Sequence, residues 1–151
     1  RQRQMVIRDR YIYEDEWTNP ITFNLGSTPI AFSPDLTFNN EFSFNWKAFE
    51  ASLQSRYVGK QYMNNAGSAD ALLKAYFVSD LSFNYTFKNI KSIKELSLGL
   101  TVYNIFNSHY FSNGYAGAGY YVENGENIIY RYSGYAAQAP AHVMGTVSIR
   151  F

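Results

Sequence analysis

Few side chains in this sequence are equipped for covalent chemistry. There is no cysteine, which excludes a thiol nucleophile, a disulfide framework and a cysteine metal site. The two histidines, His109 and His142, suggest no Ser-His-Asp arrangement by their spacing. Asp9, Glu14, Asp15 and Glu16 make an acidic patch that could attract calcium, but an EF-hand needs a different spacing, and a solvated loop is the plainer reading. His109 could touch a metal-chelate ligand, although a histidine at a loop base is the commoner case. "GAG" at Gly117 to Gly119 lacks the third glycine and the strand–helix setting of a dinucleotide motif. "NYT" at Asn84 is a glycosylation sequon by pattern only, inside an expected strand.

What remains is binding chemistry. Residues 109–135, "HYFSNGYAGAGYYVENGENIIYRYSGY", read as a long loop rich in glycine and tyrosine. Tyr115, Tyr120, Tyr121, Tyr130 and Tyr132, with Arg131, would form a flexible aromatic surface carrying one cation. Such a surface grips a ligand by stacking and through phenol hydrogen bonds. The plainer alternative is that these rings pack among neighbouring loops. No cofactor is implied, and no residue set supports an enzyme.

The scaffold that must position this surface shows in the composition. The 151 residues suffice for one domain. A net charge of +1 gives no field that would draw nucleic acid. Tyr 14, Phe 12 and abundant Asn point to strands joined by generous turns. No apolar run approaches the ~18 residues of a transmembrane helix. That says little about a barrel, whose wall meets lipid with every second residue.

Alternation is the dominant pattern. Leu36, Phe38, Phe42, Phe44 and Trp46 share one parity, and Thr37, Asn39, Glu41, Ser43 and Asn45 the other, with Asn40 the one interruption. Phe49, Ala51, Leu53 and Tyr57 alternate with Glu50, Ser52, Gln54 and Arg56. Phe77, Leu81, Phe83, Tyr85 and Phe87 alternate with Asp80, Ser82, Asn84, Thr86 and Lys88. Leu96, Leu98, Leu100 and Val102, and finally Val143, Gly145, Val147, Ile149 and Phe151, repeat it. Short turns are expected at 45–48 and 88–94, and long loops at 15–32, 59–71 and 107–134. No helix is expected beyond one turn in "SADALLKAYF". The run from Asp35 to Lys47, at roughly 3.3 Å per residue and a tilt of about 45°, climbs on the order of 30 Å. Aromatics gather near the strand ends, as at a membrane interface. A soluble sandwich would show the same alternation turned inside out, so periodicity alone does not choose. Strand length and loop asymmetry favour an all-β, antiparallel, up-and-down transmembrane β-barrel.

Several motifs go beyond pattern. Asn104-Ile105-Phe106-Asn107 is followed by Tyr110, then Gln138-Ala139-Pro140, then a last strand ending in Phe151. With "AFSPD" (Ala31 to Asp35) and "SRYVGKQYMNN" (Ser55 to Asn65), this order resembles the C-terminal portion of TonB-dependent outer-membrane receptors, in the variants of Bacteroidetes-like bacteria. The resemblance runs from about Pro29 to Phe151. It implies residues 1–151 as an incomplete barrel segment of about six C-terminal strands, starting inside a strand near Met5 to Ile12, with the plug domain absent. Receptors of this family have about 22 strands around a plugged lumen. The implied function is import of a scarce ligand (a siderophore, haem, cobalamin or a glycan) with energy supplied by TonB. The implied location is the bacterial outer membrane. The implied partners are TonB acting through the plug, the barrel-assembly machinery, outer-membrane lipid and, as a further candidate, a surface lipoprotein. Gly145, Val147, Ile149 and Phe151 would be the barrel-assembly signal, and Asn104 and Asn107 would shape the strand exit. The competing readings are a passive outer-membrane barrel or porin and a soluble β-sandwich adhesin or glycan-binding module.

Overall fold

The computed structural model describes residues 7–15, 18–90 and 92–151. Among these residues eleven strands run in chain order: β1 (Ile7–Asp15), β2 (Thr18–Thr28), β3 (Thr37–Trp46), β4 (Phe49–Val58), β5 (Gln61–Tyr62), β6 (Leu72–Leu73), β7 (Tyr76–Ile90), β8 (Ile93–Tyr103), β9 (Phe111–Glu123), β10 (Glu126–Ala137) and β11 (His142–Arg150). One 3-10 turn, Ala69–Ala71, precedes β6. Among the described residues no helix is long and apolar enough to cross a membrane. The chain divides into two compact units.

One unit holds a five-stranded antiparallel sheet in the order β11-β8-β7-β4-β3. Each long strand neighbours the next long strand of this sheet, the meander expected of an up-and-down wall. The turns at one end are tight. Trp46 pairs with Phe49 across Lys47 and Ala48, and Lys47 takes a positive φ of 53°. Ile90 pairs with Ile93 at the other such turn. The opposite end carries the long connections, residues 59–75 and 104–141. β3 is 10 residues long, against the 13-residue run read from the alternation. At a tilt of about 45° that still rises on the order of 25 Å, the height of an outer-membrane apolar band.

Register turns the alternation into two faces. One face stacks Phe42-Leu53-Leu81-Val102-Val143 and, beside it, Phe44-Ala51-Phe83-Leu100-Gly145. The other stacks Ser43-Ser52-Ser82-Thr101-Met144 and Asn45-Glu50-Asn84-Gly99-Thr146. The apolar face is uncovered: Phe42 is 66% exposed, Leu98 42% and Val147 66%. A sandwich would have hidden these residues under a second sheet. The outlier Asn40 has its reason here, since it lies in line with Ser55 and Ser79, whose hydroxyls hydrogen-bond at 2.8 Å. This polar row runs beside the aromatic row Phe38-Tyr57-Phe77.

The other unit contains β1–β2, β5–β6 and β9–β10 as separate antiparallel hairpins. Its core is small: Met63, Ala71 and Leu73 are buried, and Ala116 of β9 packs on them. Two expected loops are strands instead. Residues 15–32 contain β2, and 107–134 contain most of β9 and β10. The second correction follows from Asn124-Gly125, whose φ values of 54° and 83° make a tight two-residue turn of the primed type that closes hairpins. The motif stands in the sequence and marks a hairpin, so the segment is not a loose loop. Of the acidic patch, Glu16 lies outside the described residues, as does Met5 of the expected starting strand.

Candidate functional site

Polar-parity residues towards the long-connection end of the sheet gather around one site. Thr37, Asn39 and Glu41 of β3, Gln54, Arg56 and Val58 of β4, Val78 and Asp80 of β7, and Tyr110 line a depression of about 620 Å³, to which Asn40 and Ser55 of the opposite parity also contribute. Strand register puts them there: Glu41 faces Gln54, which faces Asp80, and Asn39 faces Arg56, which faces Val78. Tyr110 arrives from outside the sheet, and Asn104 decides how. Asn104 is buried and adopts φ 52°, a left-handed conformation asparagine tolerates better than most residues. Its Nδ2 donates to the carbonyls of Ser108 (2.9 Å) and Ala139 (3.2 Å), and its Oδ1 accepts from the Ser108 N–H (2.9 Å). Asn107 Oδ1 accepts from the Ala141 N–H at 2.9 Å, and the Tyr110 carbonyl accepts from the Gln138 N–H at 3.1 Å. The chain is thus folded back so that Tyr110 stacks on Tyr76, ring centroids 4.3 Å apart. The Asn104 and Asn107 side chains are committed to shaping this exit.

The charges in the depression differ in what they already bind. Asp80 Oδ1 accepts from the Asn104 backbone N–H at 2.8 Å. Glu41 Oε1 accepts from Ser43 Oγ at 3.2 Å. Arg56 enters no ion pair or hydrogen bond among the described residues. Burial pushes the Tyr110 phenol above its ordinary pKa; Tyr76 and Asp80 add to this, and Arg56 opposes it. Tyr110 is therefore a neutral donor at physiological pH. His109 is exposed, while His142 stacks on Tyr103 at 4.8 Å with Nδ1 2.9 Å from the Pro140 carbonyl. Among the described residues no three histidines, aspartates or glutamates gather as a metal site.

The tyrosine set read from the sequence is divided by the strands that carry it. Tyr115 and Tyr121 share one parity of β9 with Gly117 and Gly119, and Tyr130 and Tyr132 share one parity of β10 with Gly134. The glycines are where the rings lie. A Cβ on Gly117 would overlap the Tyr132 ring, one on Gly119 the Tyr130 ring, and one on Gly134 the Tyr115 ring. Tyr121, Tyr130 and Tyr132 continue as a ladder with centroids 6.2 and 6.3 Å apart. These four tyrosines are exposed, Tyr115 most at 66%. Tyr120 and Arg131 fall on the other parity, and Arg131 Nη1 lies 3.8 Å from Asp70 Oδ1. Of the expected surface, four of the five rings stay together while Tyr120 and Arg131 part from them, and the glycines make room for those rings.

A protein-family comparison bears on both surfaces. The family described as TonB dependent receptor-like, beta-barrel matches residues 6–105, more than half of the chain. The chain belongs to the TonB-dependent receptor β-barrel family. No curated protein and no solved structure matches it. The match takes in β3, β4, β7 and β8, so four of the five sheet strands carry the assignment directly. This is a family of outer-membrane receptors and transporters, not of enzymes, and it works with TonB. In a TonB-dependent receptor barrel the exposed apolar face is the lipid face and the polar face is the lumen, because lipid-facing and lumen-facing residues alternate along every strand. β3 and β11 are the edge strands of this sheet. Sequence reasoning placed Asn39, Glu41, Gln54, Arg56 and Asp80 on polar parities but never joined them. The register that brings them together is a property of strand pairing, which single-strand patterns do not encode.

Proposed function

We propose that this chain is part of the wall of an outer-membrane receptor that imports a scarce ligand of the siderophore, haem, cobalamin or glycan class. Energy reaches it from TonB through a plug domain carried elsewhere in the receptor. The observation that supports this most is the division of five paired strands into one exposed apolar face and one polar face, in register from β3 to β11. The tyrosine ladder of β9–β10, with Tyr115, Tyr121, Tyr130 and Tyr132 exposed, supplies stacking area where ligand is first met. Gly145, Val147, Ile149 and Phe151 share one parity at the end of the chain, and they serve as the signal read by the barrel-assembly machinery.

Cysteine labelling of the whole receptor in outer membranes tests the orientation. Leu100→Cys and Val147→Cys should resist a water-soluble maleimide and react with a lipid-phase one, while Thr101→Cys and Ser148→Cys should do the reverse. Uptake of each ligand class by cells with and without TonB tests the transport role. Uptake that is unchanged without TonB removes it.

A further inference from the structure

The uncommitted groups of the lumen-face depression define a ligand. Its two carboxylates each accept a hydrogen bond from the protein, Glu41 from Ser43 and Asp80 from Asn104. Arg56 has no such partner, and neither do the side chains of Thr37, Asn39 and Gln54 or the Tyr110 hydroxyl among the described residues. A guanidinium is a planar fork of donors whose best complement is a pair of oxygens on one carbon or phosphorus. Amides and hydroxyls, which both donate and accept, complement alcohols. The apolar lining is only Val58, Val78 and a Tyr110 ring already stacked on one face by Tyr76, so a flat apolar macrocycle would find no wall here. A neutral sugar would leave the Arg56 fork unmatched. A phosphate dianion would put two charges on one group beside Glu41 and Asp80, where each carboxylate of a hydroxycarboxylate puts one. The volume of about 620 Å³ lies within the ~300–1,000 Å³ of small-ligand pockets.

We propose that this depression recognises a carboxylate flanked by hydroxyl groups, with Arg56 holding the carboxylate and Asn39, Gln54, Thr37 and Tyr110 the hydroxyls. The inference rests on the receptor reading above and narrows its ligand to hydroxycarboxylates. Two sources carry this chemistry, an oligosaccharide of uronic acids and a ferric complex of a small hydroxycarboxylic acid.

The test is calorimetric titration of the purified whole receptor in detergent with trigalacturonate and with ferric citrate, the fully methyl-esterified trisaccharide serving as the neutral control. One of the acidic probes should bind, and which one identifies the source. Its affinity should fall by about tenfold or more in Arg56→Ala and be partly retained in Arg56→Lys. The neutral control should bind more weakly and respond little to Arg56→Ala. Retained heat-modifiable gel mobility verifies that each variant barrel is folded. If Arg56→Ala fails that check, Asn39→Ala and Gln54→Ala replace it and should weaken the same probe. The proposal is overturned if neither acidic probe binds, if Arg56→Ala binds as tightly as the parent, or if the neutral control binds equally well. The labelling pattern above reads the receptor assignment separately, so either idea can fail alone.

Discussion

Aromatic residues stand in the five-stranded sheet and lie down in the β9–β10 hairpin. In the sheet, Phe42, Phe44 and Trp46 project from one face with more than half of their surface open. In the hairpin, Tyr130 and Tyr132 cover the glycines of the facing strand, and Tyr115 covers Gly134. The two arrangements answer different solvents. A ring that meets hydrocarbon gains nothing by folding onto its own sheet, because lipid is as apolar as its neighbours. A ring over water gains by covering backbone, and a glycine opposite it is the place where it can approach. On the receptor reading proposed above, the sheet is held by its backbone ladder and the lipid around it, the hairpin by its own side chains.

Reversing the polarity of a sheet position is the harshest way to break this contrast. Leu100 sits on the apolar face opposite Phe83, near the middle of the band, and Thr101 beside it sits on the polar face. Leu100→Arg should destabilise the folded receptor by about 2–4 kcal/mol, and Thr101→Arg by less than about 1 kcal/mol. Urea unfolding in lipid vesicles, followed by tryptophan fluorescence, measures both. Equal effects would mean that the two faces share one environment.

Glycine substitution sharpens the contrast from the hairpin side. Gly117→Val drives a branched side chain into the Tyr132 ring and should cost about 1–3 kcal/mol of hairpin stability, as overpacking does. The cost should appear as new protease cleavage within residues 111–137 with the barrel still folded. Removing the ring as well, in Gly117→Val with Tyr132→Ala, should recover part of the loss. In the sheet, a Cβ on Gly145 meets nothing within 4 Å, so Gly145→Ala should be tolerated to within about 0.5 kcal/mol. Between these lies Gly125→Ala, which forces a methyl group into φ 83° and should cost the hairpin about 1 kcal/mol.

These same positions mark what a single sequence reveals. Parity along one strand is local, so the faces of β3, β4, β7, β8 and β11 were legible from alternating residue types, as was the inequality of the two ends. Asn40 was visible as an exception but not as a member of a row, because the row needs Ser55 and Ser79 from two other strands. The lumen depression was hidden for the same reason. The hairpin was misread because its glycines, taken by composition, suggest a loop. Glycine facing tyrosine across two strands breaks the apolar–polar alternation while preserving the pairing. Asn124-Gly125 was the local signal that would have corrected it. Arg131 was grouped with the tyrosines by nearness in sequence, and a strand sends neighbouring side chains to opposite faces.

The smallest effect is expected where β10 meets the 3-10 turn, and there it separates charge from hydrogen bonding. Arg131 and Asp70 are paired at 3.8 Å with side chains 61% and 35% exposed, so water and salt screen most of the attraction. Asp70→Asn removes this attraction and should change hairpin stability by less than about 0.5 kcal/mol. Tyr135 reaches the same residue differently, its hydroxyl donating to the Asp70 backbone carbonyl at 2.9 Å. Tyr135→Phe leaves the ring against Phe111 and takes away only that donor, at an expected cost of about 0.5–1.5 kcal/mol. Because Asp70→Asn keeps the carbonyl, the two changes should add, each read as protease sensitivity of residues 111–137. If Asp70→Asn proved the more damaging of the two, the hairpin would be fastened by charge, and its cleavage should then rise with salt in the parent protein.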